Sequence, residues 1–417
     1  MPRLALLSEF PTLAGGEQSM LSTLPALLAD GFEITVLAPP GGPLEQAVRA
    51  LGVAFHPLVT SRAARADGTG GTAAASLPNP PPAVPHLSSA REQLSDQLRR
   101  LRPDLLHANS LAMARLAGPV AAQLSLASVA HLRDIVRLSA KAVGDINRNS
   151  RILAVSAATR QHHLAAGLDP SRSHVLYNGV DLGYFRPRPA SGYLHRELDL
   201  PANARLIAMI GQICLRKGQD VFVRAASTLA KRDASLHFLV VGKRFSAKEE
   251  SRQFELSART FASEHLPGRM HWLGTRSDVA RLMNELSLLL HPARQEPLGR
   301  VLLEGAASGL PVVATNVGGT AEIFMPDSSP ANVAACGLSG ASSGAMDPAT
   351  GTNANEIAAL LVPPDEHDVM AEAAWSILAN RSFADRLSRA ARRRAEKAFD
   401  IRLAAANLRA HYEAVLS

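Results

Sequence analysis

Short runs of apolar residues recur along the chain, and each is followed by a polar or glycine-rich turn and then by a helical pattern. The runs are continuous rather than alternating, which is typical of parallel strands covered by helices on both faces. We therefore predict an α/β protein with doubly wound, Rossmann-like sheets. The predicted strands are Leu4–Leu7, Ile34–Leu37, Leu105–His107, Val129–Leu132, Ile152–Val155, Val175–Tyr177, Leu206–Ile210, Leu236–Val241, Met270–Leu273, Leu288–Leu290, Pro311–Ala314 and Ala359–Val362.

The strand and helix rhythm restarts near Arg205, after a segment with several prolines and a glycine at 181–200. Such a segment is typical of a linker. Since 417 residues are too many for one core, we predict two domains, an N-terminal one at 1–182 and a C-terminal one at 183–395. The final helical segment, 396–417, could pack on either domain, including back on the first. Other predicted helices are Gln18–Ala29, Asp220–Lys231 and Val369–Leu378, and predicted loops are Thr60–Pro85 and Asp327–Asn355.

Composition narrows the function classes. Aromatic residues make up only 4% of the chain, which disfavours a nucleic-acid surface built from stacked rings. The formal net charge of +7 fits anionic lipid surfaces or phosphorylated substrates, and equally a solvated basic surface. Cys214 and Cys336 have no metal-ligand spacing and suggest a reducing compartment. No apolar run is long enough for a signal peptide or a bilayer span, so we expect a cytoplasmic protein, or one that binds peripherally at the inner face of the membrane.

The segment 291–323 combines a strand end, a loop and a helix that starts near Leu298 and Gly299. The exposed N–H groups and the dipole at such a helix start favour a phosphate. Glu296 precedes this anion site, and Glu304 lies about a turn and a half into the helix, where a carboxylate can accept hydrogen bonds from ribose hydroxyls. Ligands in this fold class bind outside the carboxyl ends of strands, so one loop and helix can hold a sugar, a diphosphate and a ribose.

Glu296 and Glu304, followed by Gly-Leu-Pro-Val-Val at 309–313 and a glycine pair at 318–319, resemble the retaining glycosyltransferases of family 4. The resemblance implies the GT-B fold, in which two Rossmann-like domains face each other across a cleft. It also implies that Glu296 contacts the transferred sugar and that Glu304 binds the ribose.

A second donor-binding segment is predicted at 211–220, between a strand and a helix. Arg216 and Lys217 stand at the helix entrance, where they can neutralise a diphosphate. The segment resembles the family's Gly-Arg…Lys-Gly donor loop, with Gly211 and Lys217 at matching places. Gln212 stands where many members carry an arginine, and Arg216 could compensate for it.

The first domain supplies further candidates. Gly15 and Gly16 resemble the family's N-terminal glycine loop, which reaches the donor phosphate, and His131 lies where the family often carries an active-site histidine. We therefore predict that His131 and Glu296 are catalytic. The predicted residues on the acceptor side or in the cleft are His107, Asn109, Arg133, Asp134 and Asn178, the last within a sequence that matches the family's Asn-Gly-Val-Asp.

These features predict a retaining, metal-independent glycosyltransferase of polysaccharide biosynthesis that uses a nucleotide diphosphate sugar and no cofactor. The chain has no Asp-x-Asp motif, so we expect cations and a helix terminus to stabilise the leaving group. The acceptor is expected to be a glycan, a lipid-linked molecule or a small molecule. The alternatives are a sugar-nucleotide epimerase or phosphorylase with the same fold, and a degenerate non-catalytic glycan-binding protein.

Overall fold

The computed structural model describes residues 1–59, 87–325 and 357–417. The predicted loops at 60–85 and 327–355 lie outside the described residues. The chain divides into two compact units. The first comprises Met1–Gly179 together with Ile401–Ser417, and the second comprises Val180–Asp400. The C-terminal helix is therefore part of the first unit.

The first unit is a parallel sheet with helices on both faces. Its strands are β1 (Arg3–Leu7), β2 (Glu33–Ala38), β3 (Ala54–Pro57), β4 (Leu105–Ala108), β5 (Ala127–Leu132), β6 (Arg151–Ala154) and β7 (Ser173–Val175). Its helices are α1 (Gly15–Leu21), α2 (Leu24–Ala29), α3 (Pro43–Ala50), α4 (Leu87–Leu101), α5 (Leu111–Leu124), α6 (Ala140–Ile146), α7 (Ala157–Leu164) and, after the second unit, α16 (Ile401–Leu416).

The second unit repeats this arrangement. Its strands are β8 (Arg205–Ile210), β9 (Leu236–Val241), β10 (Met270–Gly274), β11 (Leu288–His291), β12 (Val312–Thr315) and β13 (Leu360–Val362). Its helices are α8 (Tyr193–Glu197), a 3₁₀ turn at Leu215–Lys217, α9 (Gln219–Ala230), α10 (Glu249–His265), α11 (Val279–Met283), α12 (Arg300–Ala307), α13 (Thr320–Phe324), α14 (His367–Leu378) and α15 (Arg381–Ala398).

Both sheets have the strand order of a doubly wound fold. The first runs β3-β2-β1-β4-β5-β6-β7 and the second runs β10-β9-β8-β11-β12-β13. In each sheet the order reverses between the unit's first strand and its fourth, which creates a crevice at the carboxyl ends of these strands. The predicted α/β class with two Rossmann-like sheets is confirmed. The switch points lie between β1 and β4 and between β8 and β11.

The strands are unbroken apolar runs because the core packs against both faces of the sheets. The first sheet is buried on both faces, with one apolar cluster around Leu106 and Ala130 and another around Leu153 and Tyr412. A third cluster, around Phe222 and Phe238, fills the second unit. Each buried apolar side chain contributes about 1.5–3 kcal/mol relative to its exposed state. Packing on both faces therefore outweighs the weak intrinsic preference of any short strand.

Three local predictions differ from the structure. The helix predicted at Gln18–Ala29 is split into α1 and α2, because Pro25 has no N–H and its ring opposes a continuous helix through that turn. Strand β3 was not predicted, since it is a short edge strand with only one buried residue, Phe55. The predicted linker contains the short helix α8. Among the described residues, no helix is long and apolar enough to cross a membrane.

Candidate active site

Two groups of polar side chains gather at the switch points. In the second unit they come from the loop after β8, from the last residue of β11 and from the loop after it, and we call Lys217, His291 and Glu296 the carboxylate cluster. In the first unit they come from the ends of β4 and β5, from the segment after β7 and from the C-terminal helix, and we call them the histidine cluster. Its members are His107, Asn109, His131, Arg133, Asn178 and Tyr412.

The carboxylate cluster is an ion pair buttressed by a histidine. The Lys217 ammonium forms a short ion pair with Oε2 of Glu296, and Nε2 of His291 lies 2.8 Å from the same oxygen. Glu296 is 5% exposed and His291 is fully buried. Because β8 and β11 are neighbours in the sheet, the loops after them are close enough for these contacts. The two predicted residues, Lys217 and Glu296, are thus brought together, while His291 was not predicted.

The cluster holds an ionised carboxylate in a buried place. Burial alone would raise the pKa of Glu296, but the Lys217 charge and the His291 hydrogen bond hold it far below its ordinary value. Burial lowers the pKa of His291, and the bond to Glu296 only partly offsets this. A neutral His291 must then carry its proton on Nε2 in order to donate to the carboxylate. The result is a fixed negative charge with one neutral and one cationic donor.

The donor loop is shaped by a close backbone approach. Gly218 has φ +75°, and a Cβ there would overlap the carbonyl oxygen of Pro292, so only glycine fits between the two loops. Gln219 is fully buried and pins the loop, because its amide donates to the Gln212 carbonyl at 2.9 Å and its oxygen accepts from the Cys214 N–H at 3.1 Å. Gln212 is the residue at the position where many family members carry an arginine. Its backbone carbonyl is held by Gln219, a contact that does not depend on the side chain of residue 212.

Arg294 holds the same loop by hydrogen bonds and ion pairs. This residue was not predicted from the sequence. Its guanidinium donates to both carboxylate oxygens of Asp220, at 2.9 and 2.7 Å, and to the Leu215 carbonyl at 2.7 Å. Its Nε lies 2.6 Å from a carboxylate oxygen of Asp365. Arg216 in turn donates to the Gln295 carbonyl at 3.2 Å. The loop that carries Lys217 is therefore braced from both ends.

Helix α12 begins next to the carboxylate cluster. Gly299, at its N-terminus, has φ +95°, which favours glycine, and the preceding Leu298 is buried, so only its backbone can reach a ligand. Glu304 lies in the helix and accepts a hydrogen bond from Arg300 at 3.1 Å. Burial raises the pKa of Glu304, with Arg300 acting against it. The two predicted glutamates thus differ, since Glu296 is firmly ionised and Glu304 is closer to protonation.

Arg133 is the hub of the histidine cluster. Its guanidinium donates to the Asn109 side-chain oxygen at 3.0 and 2.8 Å and to the Asn178 side-chain oxygen at 2.8 Å. A further N–H lies 3.0 Å from Nδ1 of His131. The Asn109 amide donates to the Gly16 carbonyl at 3.1 Å, which connects the glycine loop to the cluster. The structure therefore brings together five residues that the sequence predicted separately.

The C-terminal helix completes the histidine cluster from far along the chain. The Tyr412 hydroxyl lies 2.5 Å from Nδ1 of His107, and the His107 and His131 rings are 5.6 Å apart. Burial, with Arg133 adding to it, lowers the pKa of His107 to about 3 and that of His131 well below its ordinary value. Both rings border a cavity of about 20 Å³ inside the first unit.

The other predicted residues have more modest surroundings. Gly15 starts α1 and its carbonyl accepts from the Ser19 hydroxyl at 2.8 Å. The Gly211 N–H donates to the Val241 carbonyl at 2.8 Å. Asp134 has an exposed side chain, and its backbone carbonyl, rather than its carboxylate, accepts a hydrogen bond from His163 at 2.9 Å. Over residues 1–59, 87–325 and 357–417, no three histidine, cysteine or acidic side chains are grouped to bind a metal.

Two family models match the chain. Residues 204–380 match the glycosyl transferases group 1, and residues 13–184 match glycosyltransferase family 4. The lipopolysaccharide glucosyltransferase WaaG of Escherichia coli K12 is 33% identical over 158 residues, which are 37% of this chain and 40% of WaaG. The D-inositol 3-phosphate glycosyltransferase of Salinispora tropica is 36% identical over 166 residues, 36% of this chain and 33% of that protein. The matched region thus spans well under half the length of these relatives.

Two solved structures show the same fold. Anabaena HepE, in complex with UDP-glucose, matches with a TM-score of 0.78 and 18% identity over 99% of this chain and 100% of HepE. The crystal structure of WaaG matches with a TM-score of 0.66 and 16% identity over 97% of this chain and 99% of WaaG.

Proposed function

The chain belongs to the glycosyltransferases of family 4, and we propose that it moves a sugar from a nucleotide diphosphate sugar to a hydroxyl group of an acceptor. The observation that carries this proposal is the carboxylate cluster beside the start of helix α12. A buried, ionised Glu296 with Lys217 at its side stands directly before the N-terminus of helix α12. This arrangement places a fixed negative charge next to an anion site, as a sugar linked to a phosphate requires.

The diphosphate is assigned to Lys217, Arg216 and the start of α12. Its negative charges need cations and N–H donors, and the helix N-terminus supplies both N–H groups and a favourable dipole. Arg216 and Lys217 form the last turn of the loop that follows β8. Bracing of this loop by Arg294 limits the reorganisation that phosphate binding would otherwise cost.

The two glutamates are assigned different parts of the donor. Lys217 and His291 both contact Oε2 of Glu296, which leaves Oε1 as the oxygen to contact the transferred sugar. Glu304, which accepts a hydrogen bond from Arg300, is assigned to the ribose hydroxyls. Its carboxylate, buried beside Arg300, accepts hydrogen bonds from neutral hydroxyls more strongly when it is ionised than a neutral carboxyl or amide oxygen does.

We further propose that transfer retains the anomeric configuration and needs no metal or cofactor. In the proposed step the bond between the anomeric carbon and the phosphate oxygen breaks while the acceptor oxygen attacks on the same face, and the departing phosphate takes the acceptor proton. Lys217 and Arg216 stabilise the leaving charge in this scheme. The histidine cluster of the first unit is proposed to help to bind the acceptor.

The acceptor is proposed to be a glycan, a lipid-linked molecule or a small polar molecule, in the cytoplasm. The relatives' names refer to a lipopolysaccharide and to an inositol phosphate, both rich in hydroxyl groups. With a net charge of +7, the chain is expected to bind anionic vesicles weakly, and less at high salt, since surface charges are screened over about 8–10 Å.

The test is a panel of nucleotide diphosphate sugars screened by thermal shift, followed by product analysis in excess EDTA. We expect one donor to stabilise the protein and to release its nucleoside diphosphate while the acceptor gains a sugar with unchanged anomeric configuration. Inverted product, or activity that EDTA abolishes and magnesium or manganese restores, contradicts the corresponding part of the proposal. An epimerised donor, or phosphate-dependent cleavage, indicates the epimerase or phosphorylase. Binding without turnover for all acceptors indicates a glycan-binding protein.

A further inference from the structure

Both ring nitrogens of His131 are turned into the first unit. Nδ1 lies 3.0 Å from the Arg133 guanidinium. Nε2 is buried and has no hydrogen-bond partner among the described residues. The residue as a whole is only 4% exposed. Neither nitrogen is therefore placed to take a proton from a molecule in solvent.

The contact with Arg133 fixes where the His131 proton lies. A guanidinium has only N–H donors and stays protonated, so Nδ1 of His131 must be the acceptor. The single proton of a neutral imidazole then lies on Nε2. Protonating Nδ1 would remove this hydrogen bond and place a second positive charge against Arg133.

Other charged groups act in the same direction. The groups that face His131 from neighbouring elements are Arg133 after β5, His107 in β4 and His411 in α16, and each of them opposes a positive charge on the ring. Only the backbone of Leu176 favours protonation, and burial outweighs it. Tyr412, also in α16, is held against His107 rather than His131.

We propose that His131 is not the proton acceptor of the transfer reaction but a positioning residue, which holds the Arg133 guanidinium by accepting its hydrogen bond at Nδ1. Arg133 in turn fixes Asn109 and Asn178, and through Asn109 the glycine loop at Gly16. This inference rests on the proposed function for its catalytic meaning, although the position of the proton does not depend on it. It also assigns the acceptor proton elsewhere, in agreement with its transfer to the departing phosphate.

The first arm of the test is nitrogen NMR on the full-length protein with labelled histidine. We expect the wild-type His131 signals to show a neutral ring protonated on Nε2 between pH 5 and 8, and Arg133→Met to mix the two neutral forms and raise the His131 pKa. A ring protonated on Nδ1, or one that titrates near pH 6.5 in the wild type, overturns the proposal. This arm gives an answer even if no sugar donor is ever found.

The second arm uses two variants that imitate one ring nitrogen each. The Asn side-chain oxygen lies near the place of Nδ1, whereas the Gln side chain reaches that of Nε2. We expect the pH profile of kcat to keep its shape in both variants, and His131→Gln to lose at least about tenfold more kcat than His131→Asn, a difference of about 1.4 kcal/mol for one hydrogen bond to a charged group. Equal and large losses in both folded variants, with a changed pH profile in His131→Asn, contradict the positioning role. Absence of turnover in the wild type concerns the proposed function alone.

Discussion

The two clusters use buried histidines with opposite partners. In the first unit His131 accepts from a cation, Arg133, whereas in the second unit His291 faces an anion, Glu296. Burial lowers the pKa of both rings, so both are neutral and both carry the proton on Nε2. The residue type therefore does not reveal the role. One histidine orients a guanidinium, and the other helps to keep a carboxylate ionised.

The comparison extends to the charge that each cluster holds. The carboxylate cluster pairs Lys217 with Glu296, and both side chains are largely buried. In the histidine cluster, Arg133 donates to the neutral groups of Asn109, Asn178 and His131. A buried ion pair is costly to break on one side only, because the remaining charge has no partner. Removing a neutral member of the histidine cluster should cost less.

The largest effect is expected for Lys217→Met. It leaves the Glu296 charge buried without its cation, and we expect the free energy of unfolding to fall by about 3–5 kcal/mol. The double variant Lys217→Met, Glu296→Gln should recover most of this stability without recovering transfer. Urea denaturation of the two variants and the wild type measures both effects. Equal stability of the single and double variants contradicts a buried ion pair.

Glu304→Gln tests the second glutamate, which is not part of either cluster. Loss of a carboxylate acceptor should weaken donor binding by about 1.5–3 kcal/mol, or roughly 10–150-fold in Kd. Stability at pH 7 should not fall, because burial disfavours the ionised form of Glu304 and its raised pKa makes its charge a small liability above that pKa. Calorimetric titration with the cognate donor provides the measurement. Unchanged affinity in the folded variant excludes the ribose assignment.

Lowering the pH should reduce the free energy of unfolding, because protons bind to the buried histidines only after unfolding. The folded-state pKa of His107 is about 3, whereas a histidine in the unfolded chain titrates near pH 6.5. Between these two values the unfolded chain binds more protons than the folded one, so the free energy of unfolding decreases as the pH is lowered. We expect His107 alone to account for a loss of about 2 kcal/mol between pH 7 and pH 5. His107→Asn keeps an acceptor for Tyr412 and should remove that part of the loss. Urea denaturation of the wild type and of His107→Asn at pH 7 and pH 5 measures the difference, and an equal loss in the two proteins contradicts the assignment to His107.

The smallest effect concerns the donor loop. Gly218→Ala meets the Pro292 carbonyl and also needs a positive φ, whereas Gly268→Ala has a similar φ of +70° but nothing within 4 Å of the added Cβ. We expect Gly218→Ala to be less stable than Gly268→Ala by about 1–2 kcal/mol and to bind nucleotide more weakly. Thermal unfolding with and without nucleotide compares the two. Identical behaviour shows that the two loops do not need their close approach.

The sequence predicted the parts of the site that are local and missed those that depend on topology. Glu296, Glu304 and Lys217 follow from a helix start after a strand and from the family motif around it. Tyr412 reaches His107 across 305 positions, a contact that no local pattern encodes. Arg294 reaches Asp220 across 74 positions because β8 and β11 are neighbours in the sheet. A signal for His291 was present, since it is the last residue of β11, but strand-end histidines are more often structural.

The most direct test of the donor assignment is the release of nucleoside diphosphate by the wild type and by Glu296→Gln, measured in a single turnover with the cognate donor and acceptor. The substitution keeps the shape of the side chain and removes only its charge. We predict that both proteins bind the donor and that Glu296→Gln releases the nucleotide at least about 100-fold more slowly, as expected when an electrostatic group of the transition state is lost. Equal rates of release in the two folded proteins contradict the assignment of the carboxylate cluster as the centre of transfer.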